Sequence, residues 1–358
     1  MKKYKHLAFL TLTLALVACN NEKKTDFSIA VDTANMKQVY SLGESLSLQL
    51  KDTPDTTIDS VQYFVNDKKV GLVKGNDVLN YTLSSEKHGS HAIKAIAFVK
   101  GASYETTSGI NIYSKIQPAF YSYTILNTYP HDIKAYTQGL EFYGDVLIES
   151  TGNGEGLGTG TKGKSSIRKV NPTTGEVMKI NELDDAIFGE GTTVLNDKIY
   201  QLTYLNNEGY VYNIETLEKE QTIPYFQGMQ GWGLTNDGTN LYMTDGTDRV
   251  YKINPDNFKL IDYFVVSLPN TTVRAVNELE WVNGEIYANF YGQDAIGVFS
   301  PEDGTVTGVI DLSDLKYKVT AHPDLDVLNG IAYNKKTNTF FVTGKNWDKM
   351  FEIRIDKK

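Results

Sequence analysis

Residues 188–212 read FGEGTTVLNDKIYQLTYLNNEGYVY, and this stretch decides the fold that the sequence predicts. An apolar strand over 191–194 leads to an Asn-Asp turn, a second strand over 199–203 and a third over 210–212. Asn and Asp favour tight turns, whereas β-branched and aromatic residues favour strands. The stretch therefore predicts short antiparallel strands joined by tight turns.

The same pattern recurs five times along the second part of the chain. The copies open at Gly139, Gly191, Gly233, Glu278 and Gly330, so that about 42 to 52 residues separate successive starts. Repeats of about 40 to 50 residues with four short strands each are typical of β-propeller blades. The last copy ends after its third strand, while residues 121–126 precede the first copy without a unit of their own. We therefore predict a five-bladed propeller whose last blade is completed by that early strand.

Residues 27–113 carry a different pattern of brief alternating strands, for example over 46–50, 60–65, 80–83 and 91–98. That spacing is typical of a small β-sandwich of immunoglobulin-like shape. The predicted fold class is therefore all-β, with an immunoglobulin-like β-sandwich over 27–113 and a five-bladed β-propeller over 117–358. The sandwich has no convergent polar cluster, so we interpret it as a spacer, with carbohydrate or partner binding as the alternative.

The first eighteen residues indicate export. Lysines at positions 2, 3 and 5 precede an apolar run over 7–17, which is shorter than the roughly 20 residues of a membrane span. The segment that ends at Cys19, Leu-Val-Ala-Cys, resembles the lipobox of bacterial lipoproteins, which implies cleavage before Cys19 and acylation of that residue. We thus expect a lipoprotein signal peptide over 1–18, a tether over 19–26 and a lipid-anchored protein of the bacterial cell envelope, on the periplasmic or outer-membrane surface. An ordinary secretory signal is the alternative.

Composition argues against several classes of partner and site. The net charge of −9 becomes more negative once the signal lysines are removed, which disfavours nucleic acid. Cys19 is the single cysteine, so no internal disulfide can form and no thiolate remains for catalysis or zinc. The five histidines are scattered, and we predict no catalytic metal or other cofactor. The acids over 324–326 suit either a structural calcium ion or an exposed turn.

A propeller collects the residues that open its blades at one end of the central channel. Here the candidates are the residues that open the first strands and those that end the second strands: Gln138, Phe188, Glu190, Trp232, Asn277, Tyr204, Tyr291 and Lys345. Glu190 is the strongest candidate, because the aromatic ring of Phe188 can dehydrate its carboxyl and raise its pKa. The alternative is that Glu190 caps backbone amides in a tight glycine turn. Glu278 and Glu280 are expected to be structural or edge residues.

Six motifs in order carry a resemblance: Tyr-Thr-Gln-Gly-Leu at 136, Phe-Gly-Glu-Gly at 188, Gly-Trp-Gly-Leu at 231, Asn-Glu-Leu-Glu at 277, Val-Leu-Asn-Gly-Ile-Ala at 327 and Val-Thr-Gly-Lys at 342. Together they resemble the plant and bacterial type of glutamine cyclotransferase, over about 122–355 and none of the first domain. The resemblance implies a metal-independent five-bladed propeller that converts N-terminal glutamine to pyroglutamate and releases ammonia.

The resemblance also implies roles for individual residues. It makes Glu190 the proton-transferring acid, places Gln138, Asn277 and Lys345 against the substrate, and makes Phe188 and Trp232 walls of the pocket. Tyr204 and Tyr291 stand where the plant enzymes carry tryptophan, which keeps an aromatic face but adds hydroxyl groups.

The chemistry agrees with this assignment. The α-amine can attack the γ-amide carbon of its own residue, an intramolecular aminolysis that classes the enzyme as an acyltransferase and needs no covalent nucleophile. The expected partners are peptides or proteins with N-terminal glutamine, bound by a monomer. The alternatives are a noncatalytic propeller that binds envelope proteins or glycans, and a metal-dependent hydrolase of lactones or sugars.

Overall fold

The computed structural model describes residues 28–52, 56–153 and 163–357, and strands dominate all three ranges. Their helical content is a single 3-10 turn, Leu315–Lys318. Within these ranges no helix has the length and apolar character that crossing a membrane requires. The all-β class is therefore confirmed, whereas the predicted signal peptide, Cys19 and the tether lie outside the described residues.

Seven strands precede residue 113, and they form a five-stranded sheet in the order β1-β7-β6-β3-β4 and a two-stranded sheet of β2 with β5. All buried apolar residues of their shared core lie between Val31 and Ile112. β4 and β7 were not among the examples that the sequence pattern gave; β7 is rich in polar residues, and its pairing with β6 along its whole length holds it extended. The strands are β1 (Val39–Tyr40), β2 (Ser45–Leu48), β3 (Ser60–Val65), β4 (Lys68–Lys74), β5 (Leu79–Thr82), β6 (Gly89–Val99) and β7 (Ala102–Ile112).

The rest of the chain forms five groups of four strands, with a short hairpin between the third and fourth groups. In chain order these strands are β8 (Ala119–Pro130), β9 (Tyr136–Tyr143), β10 (Val146–Gly152), β11 (Ser166–Val170), β12 (Val177–Glu182), β13 (Gly189–Leu195), β14 (Lys198–Thr203), β15 (Glu208–Asn213), β16 (Lys219–Pro224), β17 (Leu234–Asn236), β18 (Leu241–Thr244), β19 (Arg249–Ile253), β20 (Leu260–Val265), β21 (Ser267–Leu268), β22 (Thr271–Thr272), β23 (Val276–Val282), β24 (Glu285–Phe290), β25 (Ala295–Phe299), β26 (Val306–Asp311), β27 (Leu328–Asn334), β28 (Thr339–Gly344) and β29 (Lys349–Asp356). The groups are β9 to β12, β13 to β16, β17 to β20, β23 to β26, and β27 to β29 with β8.

The early strand β8 completes the last group, as the sequence predicted. It pairs antiparallel with β29 from Ser122–Asp356 to Pro130–Lys349. Its first residues also pair in parallel with β26, which joins the fourth and fifth groups into one eight-stranded sheet. This second pairing was not predicted. The sequence pattern placed the strand at 121–126, whereas β8 begins at Ala119, and its first residues form the pairs with β26.

The first strands of the five groups contact one another in a closed cycle, from β9 through β13, β17, β23 and β27 back to β9. Their packing leaves no room for side chains at particular positions. A Cβ added to Gly191 would lie 2.5 Å from both the Trp232 carbonyl oxygen and the Leu234 nitrogen. Glycine is therefore required at 191, where two backbones approach closely. The cycle of first strands brings residues from distant parts of the sequence to the same end of these strands.

Polar contacts join the first part of the described chain to the second. The Ser114 backbone N–H donates to the Ser267 hydroxyl at 3.0 Å. Lys87 forms a salt bridge with Asp262 at 2.8 Å. The second contact lies at the surface, where an ion pair contributes little to stability.

Candidate active site

Four of the five first strands contain a β-bulge at the same level. The unpaired residues are Gln138 in β9, Glu190 with Gly191 in β13, Asn277 with Glu278 in β23, and Asn329 with Gly330 in β27. A bulge places two residues opposite one and re-aims a side chain that would otherwise alternate with its neighbours. The bulges therefore direct polar side chains from four groups of strands toward the same end of the cycle.

Three of these side chains, Gln138, Glu190 and Asn277, border a cavity of about 220 Å³. All eight residues predicted from the sequence line it, together with one residue outside that set, Tyr136. The lining is Tyr136, Gln138, Phe188, Glu190, Tyr204, Trp232, Asn277, Tyr291 and Lys345. Tyr136 opens β9 two residues before Gln138, so its place in the first recognised motif was the signal that could have identified it.

Glu190 is the buried acid of this cavity, with 5% of the residue exposed. Burial raises the pKa of its carboxyl well above the ordinary value, and the positive charge of Lys345 opposes that rise. Among the described residues no donor binds the carboxyl; only its backbone carbonyl accepts a hydrogen bond, from the Ser150 hydroxyl. The carboxyl therefore does not cap backbone amides, and its raised pKa suits it to accept and release a proton.

Lys345 places a buried amine in the same cavity, with 3% of the residue exposed. Its Nζ lies 4.7 Å from the ring centre of Tyr136 and 5.2 Å from that of Tyr291. Burial lowers its pKa, and the carboxylates of Glu190 and Asp326 act in the opposite direction. No described residue forms a salt bridge or hydrogen bond with the ammonium, which is therefore free to bind a developing negative charge.

Aromatic rings form the walls. The Phe188 ring packs against Tyr136 and Tyr204, with ring centres 6.1 and 5.8 Å away. Trp232 meets Tyr291 edge-on at 5.7 Å. Tyr291 is 44% exposed and therefore lies at the mouth. These rings exclude water from the acid and amine, which accounts for both displaced pKa values.

Two amides supply uncharged polar groups. Gln138 lies next to Asn329, whose side-chain Nδ2 donates to the Thr137 carbonyl at 2.9 Å. The buried Oδ1 of Asn277 has no partner within the described residues. Buried polar atoms are nearly always hydrogen-bonded, so the Asn277 side chain does not serve the loop backbone and is available to a ligand.

A buried network of charged side chains is hydrogen-bonded to β9 through Thr137. Glu149 accepts hydrogen bonds from Thr137 at 2.7 Å, from Arg168 at 2.9 Å, and is 2.9 Å from the His131 ring nitrogen. Burial alone would raise the pKa of Glu149, yet Arg168 and His131 hold it well below the usual range. Sequence reasoning missed this network, because its members come from three strands and a connecting loop and match no spacing motif. It anchors Thr137, the neighbour of Gln138.

Glu278 and Glu280 are structural, and both are buried in the interior rather than at an edge. Glu278 accepts backbone N–H bonds from Leu140 at 3.2 Å and from Ile331 at 3.0 Å, so it joins three first strands. Glu280 accepts the Tyr333 N–H at 2.8 Å.

Glu280 also borders a second cavity, of about 680 Å³, at the turns between first and second strands. Burial raises the pKa of Glu141 in that cavity to about 7.

No three His, Cys, Asp or Glu side chains gather in a group that could hold a metal ion, within the three described ranges. The acids over 324–326 do not form such a group. Asp326 instead binds the Tyr136 hydroxyl at 2.8 Å.

Comparison with known proteins identifies the family. The family model for glutamine cyclotransferase matches residues 94–355. That match begins inside β6, which corrects the expectation that the resemblance covers none of the first domain. A glutaminyl-peptide cyclotransferase from Arabidopsis thaliana is 40% identical over 234 residues, which are 64% of this chain and 70% of that protein. The crystal structure of Myxococcus xanthus glutaminyl cyclase matches with a TM-score of 0.60 and 33% identity, over 67% of this chain and 99% of that one. The chain therefore belongs to the glutamine cyclotransferase family.

Proposed function

We propose that this protein is a glutaminyl-peptide cyclotransferase, which converts the N-terminal glutamine of peptides or proteins to pyroglutamate and releases ammonia. The observation that carries the proposal is the cavity itself. It joins a dehydrated carboxyl, a buried amine and an amide whose oxygen has no hydrogen-bond partner among the described residues, within aromatic walls. The family membership supports the same activity.

In the proposed reaction the neutral α-amine attacks the γ-amide carbon of the same glutamine. A new C–N bond closes the five-membered ring, and the bond to the amide nitrogen breaks. Ionised Glu190 accepts a proton from the attacking nitrogen and gives it to the departing nitrogen, so that ammonia leaves and Glu190 is regenerated. General acid–base catalysis of this kind contributes roughly 10²- to 10⁴-fold in rate.

The other cavity residues act on charge and shape. Negative charge develops on the γ-carbonyl oxygen as the amine attacks, and a buried ammonium or amide N–H stabilises such an oxyanion strongly. Lys345, Asn277 and Gln138 carry suitable donors. The walls of Phe188 and Trp232 keep the glutamine side chain curled toward its own amine, which lowers the entropic part of the barrier.

We further propose that the five four-stranded groups are the blades of a propeller, over 117–358, and that residues 27–113 form an immunoglobulin-like spacer. The cyclic contacts of the first strands and the pairing of β8 with β29 support the propeller. The separate core between Val31 and Ile112 supports the spacer. The protein is proposed to act as a monomer and without a metal ion.

A direct assay tests the activity. A peptide that begins with glutamine should release ammonia when incubated with the purified protein, and the same rate should persist with a metal chelator present. A matched peptide that begins with asparagine should not react, because its shorter side chain would have to close a four-membered ring. Absence of turnover would favour a noncatalytic binding module, and loss of turnover with chelator would favour a metal-dependent enzyme.

We propose that Cys19 anchors the protein in the bacterial cell envelope, at the periplasmic or outer-membrane surface. The lipobox resemblance is the support. In a bacterial host, labelled fatty acid should enter the wild-type chain, while Cys19→Ser should carry no label and leave the membrane fraction. A wild-type chain that is processed but unlabelled would instead indicate an ordinary secretory signal.

A further inference from the structure

The acidic turn before β27 lies against the cavity although none of its residues lines it. Asp326 accepts the Tyr136 hydroxyl on Oδ2 at 2.8 Å. Its Oδ1 accepts the backbone N–H of Val327, also at 2.8 Å. The carboxylate is therefore oriented by two donors, one of them a wall residue of the cavity.

The backbone of the same turn is bonded to Lys345. The Asp326 N–H donates to the Lys345 carbonyl at 3.1 Å, and the Lys345 N–H donates to the Val327 carbonyl at 2.9 Å. The ring N–H of the fully buried Trp347 donates to the Asp326 carbonyl at 3.0 Å. These hydrogen bonds connect the backbone of the acidic turn directly to that of Lys345.

We propose that Asp326 is a positioning residue of the cyclotransferase site: through the Tyr136 hydroxyl and the Lys345 backbone, it holds the Lys345 ammonium over the Tyr136 ring and keeps a fixed negative charge near it. The proposal rests on the proposed function. It assigns to Asp326 no contact with substrate.

The need for such a charge follows from the reaction. Glu190, Asp326, Tyr136 and Tyr291 are the titratable groups that face Lys345. Burial and the nearby Asp326 charge raise the pKa of Tyr136, so its hydroxyl stays neutral and acts as a donor. When Glu190 accepts the proton of the attacking amine, its own negative charge disappears. Asp326 is then the carboxylate of this set that still favours the charged form of Lys345, at the moment when the oxyanion forms.

The charge is tested by Asp326→Asn, which removes the negative charge and keeps one acceptor oxygen for the Tyr136 hydroxyl, while its NH₂ group replaces the oxygen that accepts the Val327 N–H. The loss of that charge lowers the pKa of Lys345, so Lys345 loses its proton at a lower pH. The alkaline limb of the kcat profile should therefore move down by about one pH unit. The acid limb and the KM below neutral pH should change little, since the pocket walls are unaltered.

The hydrogen bond from the Tyr136 hydroxyl to Asp326 is tested by Tyr136→Phe, which keeps the aromatic ring and the Asp326 charge. Loss of a hydrogen bond to a charged group should lower kcat by about tenfold. The alkaline limb should move less than in Asp326→Asn, because the carboxylate remains.

Asp237 offers a matched control. Asp237 accepts a hydrogen bond from the Tyr242 hydroxyl at 3.0 Å, and the Lys252 Nζ lies 5.4 Å from the Tyr242 ring centre. The same three residue types therefore meet outside the cavity that contains Glu190. Asp237→Asn should leave the pH profile in place. Titration of Lys345 by NMR in wild type and Asp326→Asn provides a readout that does not depend on turnover.

The outcomes separate the two proposals. A wild-type protein without ammonia release contradicts the proposed function, while the NMR titration still tests the link between Asp326 and Lys345. An active wild type with an unchanged profile and an unchanged Lys345 titration in Asp326→Asn overturns the inference alone. An equal loss of rate at every pH, with a lower melting temperature, would also overturn it, because that result marks a purely structural residue.

Discussion

Replacing Glu190 by glutamine should lower the kcat for peptides with N-terminal glutamine by about 10²- to 10⁴-fold. The amide has nearly the same shape as the carboxyl but cannot accept the proton of the attacking amine. The aromatic walls and the Lys345 ammonium remain, so the KM should change far less than the kcat. Ammonia release under saturating substrate measures the loss.

The same variant should be at least as stable as the wild type near neutral pH. The pKa of Glu190 is raised in the folded state, so between its unfolded and folded pKa values the folded protein binds more protons than the unfolded chain. Stability from this residue therefore falls as pH rises through that window. Glutamine removes the penalty, and the difference between variant and wild type should disappear below about pH 4. Thermal unfolding at several pH values measures it.

Glu278→Gln is the contrasting control for Glu190→Gln. The Glu278 carboxyl accepts two backbone N–H groups, and an amide would turn an NH₂ group toward one of them. This variant should lower the melting temperature at neutral pH, because a buried N–H loses its acceptor. Collapse of the fold in Glu190→Gln, or wild-type turnover in it, would show that Glu190 is structural and that another group moves the proton.

Deleting residues 349–358 should prevent the second part of the chain from folding. The deletion removes β29, which lies between β28 and β8 in the sheet. Met350, Phe351 and Ile353 are buried there, and burial of each such side chain contributes about 2 kcal/mol. Losing these contacts and the whole β8–β29 ladder exceeds what a domain with a stability of about 5 to 15 kcal/mol tolerates. Near-ultraviolet circular dichroism and thermal unfolding would show the loss.

A shorter deletion provides the control. Removal of residues 357 and 358 leaves every β8–β29 pair in place. It takes away the surface contact between Lys357 and Glu285, which is worth at most about 1 kcal/mol. The shorter variant should therefore fold and keep its activity. A folded and active protein without residues 349–358 would contradict ring closure by β8 and β29.

Much of this architecture could be read from local patterns. Strand alternation and turn residues located the first three strands of each repeat, since side-chain periodicity and turn preferences act over a few residues. The unmatched strand before the first repeat and the missing strand after the last one predicted the β8–β29 pairing. The recurring openings of the repeats also pointed to Glu190, Trp232 and Asn277, because a repeat makes equivalent positions visible.

Other features depended on contacts between residues far apart in sequence. The bulges that turn Gln138 and Glu190 toward the cavity arise from strand register, which no single strand specifies. The parallel pairing of β8 with β26 and the contact of Tyr136 with Asp326 join segments nearly 190 residues apart.

The sequence alone therefore determined which residues are available to the chemistry, because residue types and their repeat spacing are local properties of the chain. Only the tertiary structure shows that Glu190 is dehydrated, that the Lys345 Nζ lies close to two aromatic rings, and that the Asn277 Oδ1 has no hydrogen-bond partner within the described residues. Burial and charge proximity set these properties, and both are created when distant strands pack together.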